Sequence, residues 1–114
     1  MEPIVFNQLS NILPSGTAHS QGQKFVFLAN KDSQTNLTQF AYGSFAPGEG
    51  SGLHTHQTME EFFFIVKGEG LCVCGAERYQ LGKGAFLRIP AGVLHSLEAS
   101  AVEGLEFVYF GVAI

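Results

Sequence analysis

Short runs of β-branched and aromatic residues alternate along this chain with Gly, Pro, Asn and Asp, and few segments carry a helical period. The alternation predicts strands at Lys24–Ala29, Leu37–Phe45, Leu53–His56, Glu61–Val66, Gly70–Cys74, Glu77–Leu81, Ala85–Ile89, His95–Glu98 and Leu105–Val112. The breakers between them include Asn30-Lys31-Asp32-Ser33, Pro47-Gly48-Glu49-Gly50, Lys67-Gly68-Glu69-Gly70, Gly82-Lys83-Gly84 and Pro90-Ala91-Gly92. Many short strands at such intervals specify an all-β sandwich or barrel with little or no helix. No linker or low-complexity stretch divides them, so a single domain over residues 1–114 is expected. The first twenty residues add either an edge strand or a short turn.

Two of these strands break the simple alternation. In Glu61-Phe62-Phe63-Phe64-Ile65-Val66 both parities are apolar. If Glu61, Phe63 and Ile65 face the interior, then Phe62, Phe64 and Val66 need cover from a second layer or a second subunit. Phe107 and Tyr109 oppose Val108 and Phe110 in the same way. A homodimer is therefore expected.

Composition narrows the classes. The chain has 114 residues, 46% hydrophobic and 14% charged, with 11 Phe, which describes a globular chain able to bury a real core. The net charge of −4 and the absence of a Lys/Arg cluster argue against nucleic acid and anionic membrane as partners. The longest apolar run, Phe62 to Val66, is too short to span a bilayer. The start, Met1 to Phe6, lacks a basic region followed by a long apolar segment, so a soluble cytoplasmic protein is expected.

The chemistry concentrates in a few residues. His54 and His56 are two apart, so on a strand they share a face. Glu61 follows, and His95 lies far downstream. Three imidazoles and a carboxylate converging in an apolar interior are costly unless paired or metallated, and such a set suits a divalent transition metal. His56 and Glu61 are separated by an odd number, so the chain must bend at Gln57-Thr58-Met59 for both to reach one ion. Cys72 and Cys74 are the only cysteines. They read either as a thiol pair or soft ligands, or as two small apolar side chains of a strand, the reading favoured here.

These residues resemble the cupin superfamily. Gly48, His54, His56, Glu61 and Gly68 meet every fixed position of its first motif, G-x5-H-x-H-x4-E-x6-G. Gly84, Pro90, Gly92 and His95 match the second, G-x5-P-x-G-x2-H-x3-N, and only Ala99 departs, standing where the family often has Asn. The two motifs lie within residues 48–99, with a connector as short as in the most compact members. The resemblance implies a single-domain antiparallel jelly-roll β-barrel with a metal inside, held by His54, His56, Glu61 and His95. The ion is Fe, Mn, Ni, Cu or Zn, and the residues do not choose among them.

The spacing to Gly68 selects Glu61 over its neighbour Glu60. The latter is then a surface charge, or a group that orients a ligating imidazole. His19, in a Ser/Gly/Thr-rich stretch, reads as a solvated loop residue, the favoured reading, or as a residue at the pocket rim. Arg78 and Arg88 are the only arginines; either could grip a ligand's carboxylate, although alternation from Leu87 and Ile89 points Arg88 outward. Tyr42, Tyr79, Phe40 and Phe63 are candidate pocket aromatics or ordinary core. The implied function is a metal-dependent enzyme on a small organic molecule bound in the barrel, of oxygenase, isomerase, lyase or decarboxylase type. The alternative is a binding or sensing module without turnover. A structural, seed-storage-like role is weaker still.

Overall fold

The structure is a computed structural model that describes residues 3–114. Met1 and Glu2, at the start of the expected domain, lie outside the described residues. The nine strands are β1 (Ser15–Gly16), β2 (Gln23–Ala29), β3 (Leu37–Phe45), β4 (Met59–Gly68), β5 (Gly70–Cys74), β6 (Glu77–Leu81), β7 (Phe86–Ile89), β8 (Ser96–Ala99) and β9 (Leu105–Ala113). Two single 3-10 turns, Leu9–Asn11 and Asn30–Asp32, are the helical elements among the described residues. Among the described residues no helix is long and apolar enough to cross a membrane.

The strands form two antiparallel sheets, one of six strands in the order β1-β2-β3-β9-β4-β7 and one of three in the order β6-β5-β8. This is the all-β jelly-roll architecture expected from the sequence. Eight of the nine predicted strands are present, with ends displaced by at most a few residues. The exception is Leu53–His56. It contributes one isolated bridge, His54 opposite His95, in place of a strand. The reason is local: Gly48 and Gly52 sit at φ 79° and 71°, a left-handed conformation that bends the backbone on either side. The edge element expected near the N-terminus is β1, paired with β2 through Ser15↔Lys24 and Gly16↔Gln23.

Alternation decides which residues meet in the middle. On β4, Glu61, Phe63 and Ile65 are buried, as the sequence predicts. On β3 the buried set is Ala41, Gly43 and Phe45, and on β9 Leu105, Phe107 and Gly111. Of these, Phe45, Phe63, Ile65, Leu105 and Phe107 close against Cys72, Leu81, Leu97 and Ala99 of the three-stranded sheet to form one core. A fully buried Phe or Leu contributes about 1.5–3 kcal/mol by leaving water.

The opposite face of the large sheet is also aromatic. Phe62 stacks on Phe110 at 4.8 Å, Phe110 on Phe40 at 5.4 Å, and Phe40 meets Phe27 edge-on at 6.1 Å. Phe64 and Phe86 remain 45% and 64% exposed, so the aromatic ladder covers itself only in part.

Candidate metal centre

The two sequence segments that carry the candidate ligands are joined by backbone. His54 N–H donates to the His95 carbonyl at 2.9 Å, and His95 N–H donates to the His54 carbonyl at 2.9 Å. Gly92 N–H donates to the His56 carbonyl at 2.7 Å and ties the Pro90-Ala91-Gly92 turn to the same segment. Glu61 arrives from β4, after the chain bends at Gln57 and Thr58 as parity requires.

His54, Glu61 and His95 offer ligand atoms that all lie within 4.8 Å of one another. His56 joins this group through the carboxylate. Its Nε2 is 3.2 Å from Glu61 Oε1, while the same oxygen is 3.8 Å from His95 Nε2. The imidazole centroids of His54 lie 5.0 Å from His56 and 4.3 Å from His95. Three of the four expected residues therefore form one group, and His56, whose ring centroid is 6.2 Å from that of His95, adjoins it through Glu61.

Protonation follows from the hydrogen bonds. His95 Nδ1 is 2.9 Å from the Val93 carbonyl, and His54 Nδ1 is 2.9 Å from the Gly52 carbonyl. A carbonyl only accepts, so each Nδ1 carries the proton and each Nε2 presents a lone pair. The His95 imidazole is 1% exposed, and its Nε2 has no hydrogen-bond partner. A bare His95 lone pair thus faces a buried carboxylate, with His54 beside it. Such a set is mutually repulsive alone and is satisfied by a cation.

The electrostatics agree. Burial holds the His95 imidazole below its ordinary value of 6.5; the Val93 bond opposes this, and His54 and His56 reinforce it. Burial likewise lowers His56. Burial raises Glu61 above its usual 4.5, while the nearby His54 pulls it back. A metal ligand must be deprotonated, so the lowered pKa values of His95 and His56 favour binding, while the raised Glu61 pKa makes its proton the competitor of the ion.

The cavity beside these residues has a volume of about 120 Å³ and apolar walls that include Phe45, Phe63, Leu97 and Phe107. Sequence reasoning selected Phe63 but misplaced the other aromatics. Phe40 stacks on the outer ladder, Tyr42 donates to Glu106 Oε1 at 2.8 Å, and Tyr79 is 46% exposed. Parity on β3 turns Phe40 and Tyr42 away from the interior, whereas Tyr79 shares the parity of buried Leu81 but lies on the edge strand β6 and stays exposed. Tyr109 takes the place expected of them, stacked on Phe63 at 5.5 Å.

His19 is not a solvated loop residue. It is half-buried, lines the cavity, and its ring lies 4.3 Å from that of His54. Thr17 Oγ1 holds the turn that presents it, accepting from His19 N–H at 3.1 Å. Burial, then His54, His56 and His95, lower its pKa. Nothing in the local sequence marks this residue; the β1–β2 pairing delivers it.

The remaining candidates stand apart. Arg88 points outward and binds Glu60 Oε2 through Nη2 at 2.8 Å and Nε at 3.2 Å, which makes Glu60 a surface charge. Arg78 is exposed. Cys72 and Cys74 are free, and burial together with Cys74 pushes the Cys72 thiol up to about 11, so it behaves as a small apolar group.

A two-sheet β fold with a buried histidine-carboxylate cluster defines a small barrel that could hold a metal. The chain belongs to the cupins: the family's Cupin domain model matches residues 41–111. It is 28% identical over 104 residues to an oxalate-binding protein from Thermotoga maritima, covering 87% of this chain and 86% of that protein. Among solved structures it resembles a predicted oxalate decarboxylase from Thermotoga maritima, with a TM-score of 0.84, 23% identity, and coverage of 94% and 97% of the two chains. It also superposes on the polyketide cyclase RemF from Streptomyces resistomycificus, with a TM-score of 0.85 at 12% identity, covering 96% of this chain and 80% of that one. At these identities the structural likenesses establish the fold alone.

Proposed function

We propose that this protein is a single-domain, metal-dependent cupin that acts on a small organic molecule held in the cavity. His54, His56, Glu61 and His95 are the ligands of one divalent transition ion. The observation that carries this reading is the unpartnered, buried His95 Nε2 aimed at the Glu61 carboxylate. When bound, the ion supplies a Lewis acid that polarises a ligand oxygen.

The chain's own residues do the rest. The Val93 and Gly52 carbonyls fix the His95 and His54 tautomers, so both imidazoles are ready to ligate without rearrangement. Phe63 and Phe107 exclude water from the centre and strengthen every charge interaction there. Burial, then the Glu61 charge, hold the Tyr109 phenol up at about 12. It keeps its proton at neutral pH and can donate a hydrogen bond to a bound oxygen.

Native mass spectrometry on protein purified without added metal tests the reading. One transition ion per chain is expected in the wild type and none in His95→Ala. Full occupancy in that variant overturns the ligand assignment. A second reading, binding without turnover, draws support from the Thermotoga maritima relative named for oxalate binding. Mass analysis of a small acid recovered unchanged, or converted, after incubation with metal-loaded protein separates the two. The partly exposed Phe64 and Phe86 support a homodimer across the large sheet, and a monomeric mass at micromolar concentration refutes it. The free thiols of Cys72 and Cys74 fit a cytoplasmic setting.

A further inference from the structure

Among the described residues one ammonium group lines the cavity together with the imidazoles, and the metal centre does not use it. Lys24 of β2 is half-buried there, and its Nζ donates to Gln39 Oε1 at 3.2 Å. Gln39 Nε2 in turn donates to the Tyr109 hydroxyl at 3.3 Å. Among the described residues no carboxylate lies within ion-pair distance of Lys24; the close pairs are His56–Glu61, Arg88–Glu60 and His95–Glu61. Among the described residues its ammonium has a neutral amide as protein partner and no counter-charge, which leaves donor capacity for an anion in the cavity.

The placement follows from register. Lys24 pairs with Gly43, and Gln39 lies further along β3 beyond Ala41, which is fully buried. Small residues at 41 and 43 leave the lysine stem free to run along the inner face. Gln39 shares a row of the sheet with Gly111, and Gly111 with Glu61. Two strand spacings separate Gln39 from Glu61, about 10 Å. Tyr109 lies two residues before Gly111 on β9, on the same side.

We propose that the Lys24–Gln39–Tyr109 wall is the binding site for a second, anionic end of the ligand, and that the ligand is therefore a small dicarboxylate. This rests on the metal-centre reading for its first end only. One end, a carboxylate with an adjacent oxygen, meets the histidine-carboxylate centre. The other carboxylate accepts from Lys24 Nζ and the Tyr109 hydroxyl, and Gln39 holds both donors in place. A span of about 10 Å between backbones, less the side chains that enter it, admits a chain of about four carbons. The cavity volume of about 120 Å³ also limits the ligand to that scale, below the ~300 Å³ lower bound of drug-sized pockets.

Calorimetric titration of metal-loaded protein with two probes tests this. Malate carries a 2-hydroxy acid and a remote carboxylate; 2-hydroxybutyrate replaces that carboxylate with a methyl group. Wild type is expected to bind malate about ten- to hundred-fold more tightly, the scale of a charge-assisted hydrogen bond. Lys24→Met is expected to erase the preference, leave the 2-hydroxybutyrate affinity and the metal content unchanged, and be rescued by Lys24→Arg. Gln39→Leu is expected to weaken malate selectively as well. Equal affinity of wild type for both probes, or a preference that survives Lys24→Met, overturns the proposal. So does a Lys24→Met loss equal for both probes, which marks mere long-range attraction of anions. If the wild type takes up no metal, the metal-centre reading fails separately. The Lys24 wall is then judged by whether malate raises the melting temperature of metal-free wild type above that of Lys24→Met.

Discussion

The two faces of the six-stranded sheet carry similar side chains and treat them oppositely. On the inner face Phe63 and Phe107 are 6% and 4% exposed and pack around a carboxylate and three imidazoles. On the outer face Phe62, Phe110 and Phe40 stack on one another, and the local charges, Glu60 and Arg88, simply pair in solvent. The contrast shows that aromatic content does not make a site. Inside, the aromatics remove water from groups that then lack partners; outside, water and a counter-charge satisfy everything.

The comparison can be broken most forcefully at matched Phe positions. Phe63→Ala is expected to destabilise the fold by about 3–5 kcal/mol, whereas Phe64→Ala, 45% exposed, costs well under half as much by chemical denaturation. Equal losses would mean that the outer face is buried in an assembly, and light scattering would show it. Next comes the centre: Glu61→Gln is expected to weaken metal affinity at least ten-fold, the scale on which metal sites respond to lost support. The metal-free variant should melt no lower than wild type at neutral pH, because a buried carboxylate with a raised pKa opposes folding there.

The pH dependence of the metal-free protein sharpens the contrast further. His95, His56 and His19 all have pKa values lowered from 6.5, so the unfolded chain takes up protons first. Stability should fall as pH drops below about 6.5 and continue to fall until the folded imidazoles protonate. Glu61 works in the opposite sense. Its raised pKa adds stability as pH falls from that value toward 4.5, so Glu61→Gln should steepen the acid loss in thermal melts. The smallest effect belongs to the outer face. Arg88→Ala should change stability by at most about 1 kcal/mol and leave metal content intact, since Arg88 and Glu60 form an exposed pair.

Much of this was legible in the chain. Eight of the nine strands predicted from alternation are present, and His54, Glu61 and His95, which the two motifs single out, come together in the candidate centre although the segment carrying His54 is not a strand. What escaped was set by pairing between distant strands. His19 reaches His54 only because β1 lies on β2. Gln39, Lys24 and Tyr109 meet through the registers of β2, β3 and β9, which no local pattern encodes. On β3 the inner face is Ala41-Gly43-Phe45, so the bulkier Phe40 and Tyr42 suggested the wrong side. The strand predicted at Leu53–His56 failed for a related reason: its glycines accept conformations that a hydrophobicity pattern does not see.

The reciprocal amide bonds between His54 and His95 have a consequence for how the protein is loaded. They close the backbone of the cradle by hydrogen bonding alone, so its shape does not wait for cargo. A molecule whose site stands empty would on this account keep the backbone shape of a receptor.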